Sequence, residues 1–156
     1  MARQAGIKYT YDSGIEFVMF ADSDDMLLPY AVEILSKEIK KSNCDIICSS
    51  FYREEYPGFV HLLDVKTTPI TWCHGKIYKV SYLIENNIYF LPDMRCSEDS
   101  YFNAVAFNLT ENKSFIETPT YYWRDNKDSL THQQDWMERD IIQFIQGQVV
   151  ALNRIL

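Results

Sequence analysis

The stretch Phe17-Val-Met-Phe-Ala-Asp-Ser-Asp-Asp25 constrains this chain more than any other. A short apolar run ends abruptly in the three carboxylates of Asp22, Asp24 and Asp25. Residues Ile15 to Ala21 are rich in β-branched and aromatic side chains and read as a buried strand. Because nearly every position is apolar, the strand is expected to be central, with partners on both sides and cover on both faces. The three carboxylates then project from its carboxyl edge, where open α/β sheets bind ligands. Like charges this close repel one another unless a cation sits among them. Oxygen-only donors suit a hard ion, Mg2+ or Mn2+, shared with substrate phosphates. The alternative is an acidic turn that merely caps the next helix, since Pro29 stands at a plausible first helical position. A calcium loop is excluded, because its sixth position is Leu27 rather than Gly.

The rest of the composition narrows the class. With 156 residues and 47 % apolar side chains, the chain suffices for one domain with one core. A net charge of -7 argues against a nucleic-acid partner, which needs a basic face. Lys37, Lys40 and Lys41 cluster at one helix end and complement its dipole. Cys44, Cys48, Cys73 and Cys96 form no CxxC pair, so zinc and a disulfide framework are not expected. Reduced thiols, no secretory signal and no apolar stretch of transmembrane length point to the cytoplasm, with the inner face of the membrane as the other location considered.

Periodicity and punctuation place helices at Ala2–Asp12, Pro29–Ser42, Ser81–Asn86, from Ser97 as cap to about Leu109, and from about Gln134 to Leu156. The second helix is amphipathic, with Leu28, Val32, Leu35 and Ile39 on one face, and the last one carries Trp136, Ile141, Phe144, Ile145, Val149 and Leu152. Further strands are expected at Asp45–Tyr52, Phe59–Val65 as its hairpin partner, and Gly75–Val80. Two more, Ser114–Thr118 and Thr120–Arg124, should flank Pro119.

Three further segments carry chemistry. Glu98 and Asp99 stand in the first turn of a helix, where acidic side chains are electrostatically favoured without any function. The same carboxylates, if they face a cleft, can accept a proton from a bound hydroxyl. In Tyr121-Tyr-Trp-Arg124, Arg124 can clamp a phosphate, and in the following polar loop His132 can serve as a neutral metal ligand. Trp72 can stack on a sugar ring or simply fill the core.

The order of these pieces resembles the family 2 glycosyltransferases of the A-type fold. In that family an Ala-Arg-Asn-x-Gly segment precedes a strand ending in an Asp-x-Asp metal motif; here Ala2-Arg-Gln-Ala-Gly6 precedes Asp22-Ser-Asp24. A Gly-Lys-Leu-Tyr segment matches Gly75-Lys-Ile-Tyr78, and a Glu-Asp pair matches Glu98-Asp99. The resemblance runs to about His132. It implies an α/β fold with a mixed sheet and flanking helices, and transfer of a sugar from a nucleotide-sugar donor to a glycan, lipid-linked or other hydroxyl acceptor, with inversion. It implies Asp99 as base, Asp24, Asp25 and His132 at the metal, and Asp22, Arg3, Arg124, Trp72 and Glu98 at the substrates.

Two departures from the family stand out. Gln4 replaces the family asparagine, and the phosphate-side βαβ unit that grips the nucleotide base is not represented in residues 1–156. The expectation is a single domain equivalent to the C-terminal part of a glycosyltransferase domain, prone to self-association through unpaired strand edges. The rival enzyme class is a phosphatase of the haloacid-dehalogenase type, with Asp22 as nucleophile and Asp24 as acid. Met26 stands where that class has Thr or Val, and no later Gly-Asp-x-x-Asp follows. A non-catalytic fragment or binding module is the third reading.

Overall fold

The computed structural model describes residues 2–55, 58–67, 71–126 and 136–156, and for 136–140 the backbone alone. In chain order the elements are α1 (Ala2–Asp12), β1 (Phe17–Met19), β2 (Met26–Leu27), α2 (Ala31–Ser42), β3 (Ile46–Glu55), β4 (Phe59–Leu63), β5 (Lys76–Lys79), α3 (Val80–Glu85), α4 (Glu98–Asn108), β6 (Lys113–Trp123) and α5 (Trp136–Ile155). The sheet runs β1-β5-β3-β6-β2, with β4 also paired to β3. Among the described residues only β3 and β6 are parallel; every other pairing is antiparallel. The mixed sheet with flanking helices expected from the sequence is what forms.

β3 organises the sheet. Its buried run from Ile46 to Phe51 is apolar apart from Ser49 and Ser50, so it is covered on both faces. One edge pairs with β6; the other is shared, Ile46–Cys48 with β5 and Phe51–Glu55 with β4. Alternation then sorts the core. Ile46, Cys48 and Tyr78 point to a large cluster built with Ile7 of α1, Leu83 of α3, and Phe102 and Val105 of α4. Ile47 and Ile77 point the opposite way, to a smaller cluster with Leu35 and Ile39 of α2. Each fully buried Phe or Leu here contributes about 1.5–3 kcal/mol.

Four expectations are corrected. First, β1 is three residues long rather than a central strand over Ile15–Ala21, and among the described residues it pairs only with β5. β5 offers it partners only as far as Ile77, because the preceding chain turns through Gly75 at φ 63. Second, β6 is one strand through Pro119, not two around it. Proline lacks the N–H for a ladder, and the register with β3 slips between Ser49 and Phe51, so Pro119 falls in the bulge. Third, α2 buries Ala31 and Leu35 but leaves Val32 69 % exposed. Fourth, Ser97 adopts a left-handed conformation at φ 54 and makes no side-chain cap bond to α4.

The last helix departs furthest from its sequence pattern. The apolar residues that the helix carries, Ile141, Phe144, Ile145, Val149 and Leu152, are all exposed, while Ala151 is buried; the Trp136 side chain lies outside the described residues. α5 meets α4 through its small residues. A Cβ on Gly147 would lie 2.9 Å from Met94 Cε and 3.2 Å from Tyr101 Cβ, so the backbones approach closely. Arg154 locks the far end, donating to Tyr101 Oη at 2.8 Å. We expect Gly147→Leu to lift α5 off α4 and cost about 1–3 kcal/mol by overpacking. Urea unfolding monitored by circular dichroism checks this; an unchanged midpoint would contradict the packing described.

Candidate active site

Antiparallel pairing explains why distant residues meet. The end of β1 lies beside the start of β5, with Met19 opposite Ile77. The acidic turn after β1 therefore reaches the 71–75 loop before β5. β2 folds back onto the end of β6, pairing Met26 with Tyr122 and Leu27 with Tyr121. The turn itself closes through Asp25 N–H donating to Asp22 O at 3.1 Å.

The three aspartates have different surroundings. Asp22 pairs with the Arg3 guanidinium, its main-chain N–H donates to Tyr121 Oη at 3.1 Å, and its carboxylate faces His74 Nε2 at 3.8 Å. The facing imidazole and then Arg3 hold it down to about 2, against the effect of burial. The Asp25 side chain is only 2 % exposed. It accepts from Tyr121 Oη at 2.6 Å and from Arg124 N–H at 2.9 Å, with His74 Nε2 at 3.7 Å. Burial pushes it above the usual carboxylate range. Asp24 instead accepts from Asn126 Nδ2 at 2.8 Å.

Among the described residues, one set of side chains is gathered closely enough to hold a metal ion: Asp22, Asp25 and His74, with ligand atoms within 4.8 Å of one another. Asp24 is not part of that set. His132 lies outside the described residues. His74 is the member that sequence reading did not single out. Its only signal was a polar ring inside the otherwise aromatic and thiol-bearing segment Trp72-Cys-His.

Arg3 joins the two acidic constellations. From the first turn of α1 its guanidinium pairs with Asp22 on one side and Glu98 on the other. These two carboxylates hold its pKa above the ordinary arginine value, against burial. Gln4, one residue on, accepts from Phe90 N–H at 3.0 Å and pins α1 to the chain before α4. Beside Glu98, Asp99 is pushed up to about 6, chiefly by burial and then by the Glu98 charge. Its Oδ1 accepts the Ser100 N–H at 2.8 Å. Asn103 holds this end of α4 to the 71–75 loop, donating to Asp99 O at 2.9 Å and Thr71 O at 3.0 Å and accepting from Tyr78 Oη at 2.7 Å.

An aromatic wall borders the acidic turn. Trp72 is half-buried, its ring 5.5 Å from Trp123 and 6.3 Å from Phe51. Trp123 carries the Arg53 guanidinium 4.5 Å above its ring. The buried Lys76 amine donates to Trp72 O and so braces the loop from below. Arg124 is exposed, and its contact with the turn is through its main chain. The neighbouring thiols Cys48 and Cys73 are pushed up to about 12 by burial, which makes them unreactive. The structure thus brings together Arg3, Asp22, Asp25 and Glu98. It sets Asp99 beside Glu98, Trp72 in the wall and Asp24 on Asn126.

No family model matches the chain. It is 27 % identical over 150 residues to a protein of Bacillus subtilis described as the uncharacterized glycosyltransferase EpsJ, covering 83 % of this chain and 43 % of that protein. It is 26 % identical over 125 residues to the poly(ribitol-phosphate) beta-N-acetylglucosaminyltransferase TarS of Staphylococcus aureus, covering 72 % of this chain and 22 % of TarS. Among solved structures it resembles TarS 1–349 in complex with UDP-GlcNAc, with a TM-score of 0.66 at 17 % identity, over 97 % of this chain and 51 % of that one. The complex of the same protein with UDP gives a TM-score of 0.64 at 18 % identity. The chain thus spans less than half the length of the curated relatives it matches. The resemblance to glycosyltransferases drawn from motif order is borne out in both sequence and fold.

Proposed function

We propose that this chain, a homologue of glycosyltransferases with their mixed-sheet fold, carries the metal and acceptor side of a family 2 sugar transfer, from a nucleotide-sugar donor to an acceptor hydroxyl with inversion. The observation that carries the proposal is the Arg3 bridge, which ties the acidic turn to the Glu98-Asp99 pair through one guanidinium. The TarS structures that share the fold hold UDP and UDP-GlcNAc, which supports a uridine nucleotide-sugar as donor here. The sheet speaks against the phosphatase alternative. β1 is antiparallel to β5, whereas a doubly wound nucleotide-type fold would give it parallel neighbours.

The residues fit a divalent ion. Two carboxylates of the turn converge on a buried imidazole, and Asp25 is oriented by the Tyr121 hydroxyl and the Arg124 N–H. Such an ion, when bound, offsets the charge that develops on the departing nucleoside diphosphate. Asp22 and Asp25 would hold it, with Asp24 left beside Asn126 to reach donor hydroxyls. Asp99, raised toward neutral pH, removes the acceptor hydroxyl proton as the new glycosidic bond forms and the bond to the diphosphate breaks. Trp72 and Trp123 offer faces for a sugar ring, and Arg124 is free to swing its guanidinium toward the diphosphate from an exposed position. Among the described residues no helix is long and apolar enough to cross a membrane, and all four cysteines are free thiols, which supports a reducing compartment such as the cytoplasm.

Calorimetric titration of the chain with UDP, with and without Mn2+, tests this reading. Binding should require the ion, and Asp22→Asn should weaken it by at least about tenfold, or about 1.4 kcal/mol. Ion-independent UDP binding indifferent to the substitution, or absence of any Mn2+-dependent binding of inorganic pyrophosphate, which needs no base-gripping unit, would overturn it.

A further inference from the structure

We infer that His74 is the nitrogen ligand of the cation site, and that it tunes the site toward Mn2+-type ions over Mg2+. The inference rests on the metal-assisted reading of the acidic turn and deepens it.

The ring is fixed in place before any ion arrives. His74 is 7 % exposed. One face stacks on Tyr121, centroids 5.1 Å apart and planes 20° from parallel; Trp123 lies at 4.6 Å and Phe51 meets it edge-on at 5.6 Å. Its backbone enters a turn at Gly75, whose carbonyl accepts from the Ser49 N–H at 2.8 Å and the Ser49 hydroxyl at 3.0 Å. The imidazole is thus anchored to β3, β5 and β6 at once, and its edge has little freedom.

What that edge faces is informative. Among the described residues, Nδ1 is buried without a hydrogen-bond partner. Nε2 faces Asp22 Oδ2 at 3.8 Å and Asp25 Oδ2 at 3.7 Å, beyond hydrogen-bond reach of both. A buried histidine kept only for packing or for a simple ion pair would normally close on a carboxylate at about 2.8 Å. Donor atoms that share one ion, each at about 2.1 Å and spread by 90–120°, stand about 3.0–3.6 Å apart. At 3.7 and 3.8 Å the imidazole nitrogen stands just outside that range, so a bound ion would draw the three donors together by a few tenths of an ångström. The Tyr121 hydroxyl supports the arrangement from behind, donating to Asp25 and accepting from the Asp22 main chain.

A donor set of two carboxylates and one imidazole has a chemical consequence. Mg2+ favours oxygen ligands and retains its waters, whereas imidazole nitrogen suits transition ions. The site should therefore take Mn2+ in preference to Mg2+.

The chain has three histidines, His61, His74 and His132, which makes the test clean. Mn2+ alone is added to the untagged protein, and electron spin-echo spectroscopy reads nitrogen coupling to the bound ion. We expect an imidazole coupling in the wild type and in the double variant His61→Gln, His132→Gln, which retains His74 alone. His74→Gln should abolish the coupling, lower Mn2+ affinity at least about tenfold, and erase the preference over Mg2+ in competition. The double variant assigns the nitrogen even if His74→Gln fails to fold. Mn2+ bound without nitrogen coupling, or a coupling lost in the double variant, overturns the role of His74 and leaves the acidic turn as an oxygen-only site. Absence of Mn2+ uptake at millimolar concentration overturns both this inference and the metal part of the functional reading.

Discussion

Replacing Asp99, the base of the transfer proposed above, with Asn should lower the kcat of that transfer by at least about a thousandfold while making the folded chain more stable at neutral pH. The two effects have one cause. Asp99 is held among buried groups beside Glu98, and its proton is retained up to about pH 6. A base of that strength is well matched to accepting a proton near neutrality. The same burial makes its charged form costly. In the unfolded chain an aspartate releases its proton near pH 4. Between about pH 4 and 6 the folded state therefore binds more protons than the unfolded one, and stability falls as pH rises through that window. The asparagine variant carries no such charge, so it should not show this loss and should melt higher at pH 7, by an amount of the order of 2 kcal/mol. In the wild type, kcat/KM should fall about tenfold per pH unit below about 6 and level off above it. Steady-state kinetics with donor and acceptor, together with melts at pH 4.5 and 7, check all of this. Donor affinity should stay within a few-fold. A variant that melts lower and turns over normally would reduce Asp99 to a helix-terminal acid.

Gly75→Ala should have the largest effect on the fold. Gly75 sits at φ 63, and a Cβ there would lie 2.8 Å from Ser49 O and 2.8 Å from Ser49 Oγ. Neither atom can yield. The carbonyl belongs to β3, and the hydroxyl is engaged with Gly75 O and, at 2.5 Å, with Thr120 of β6. The left-handed backbone alone costs a non-glycine residue about 1–3 kcal/mol, and the clash with the central strand adds to it. A total loss of about 3–5 kcal/mol is a large share of the stability of a domain this size. Gly58 supplies the internal control. It has φ 91 but, among the described residues, no heavy atom within 4 Å of its would-be Cβ, so Gly58→Ala should show the conformational cost without the clash. Denaturant unfolding of the two variants side by side measures the difference. Equal losses would show that the approach of β5 to β3 is not what requires glycine. The site should suffer with the fold, since His74 is positioned by the same turn.

Much of this molecule was legible one residue at a time. The left-handed residue at Asn43, the helix that ends before Asn87, and the inward faces of Phe102, Val105 and Ala106 follow from local rules, because each depends on neighbours within a turn of chain. The acidic turn and the Glu98-Asp99 pair were visible for the same reason. Their charges are adjacent in sequence, and their order along the chain carried the resemblance to glycosyltransferases. α5 shows where local rules fail. Its apolar stripe predicts one buried face, yet Gly147 and the buried Ala151 make the contact, because a helix–helix distance is decided by what the partner offers and α4 presents Tyr101 with Met94 alongside.

The sequence by itself determined the class of chemistry, a strand ending in carboxylates followed by a second acidic pair, because those side chains declare their charge without reference to anything distant. Tertiary structure alone decided which of them act together. The antiparallel β1–β5 pairing brings His74 to Asp22, the β2–β6 pairing brings Tyr121 to Asp25, and Arg3 ties Asp22 to Glu98 across most of the chain. These partners are separated by tens of residues with no fixed spacing. Their meeting is set by strand register and by burial, the two quantities that a linear pattern does not contain.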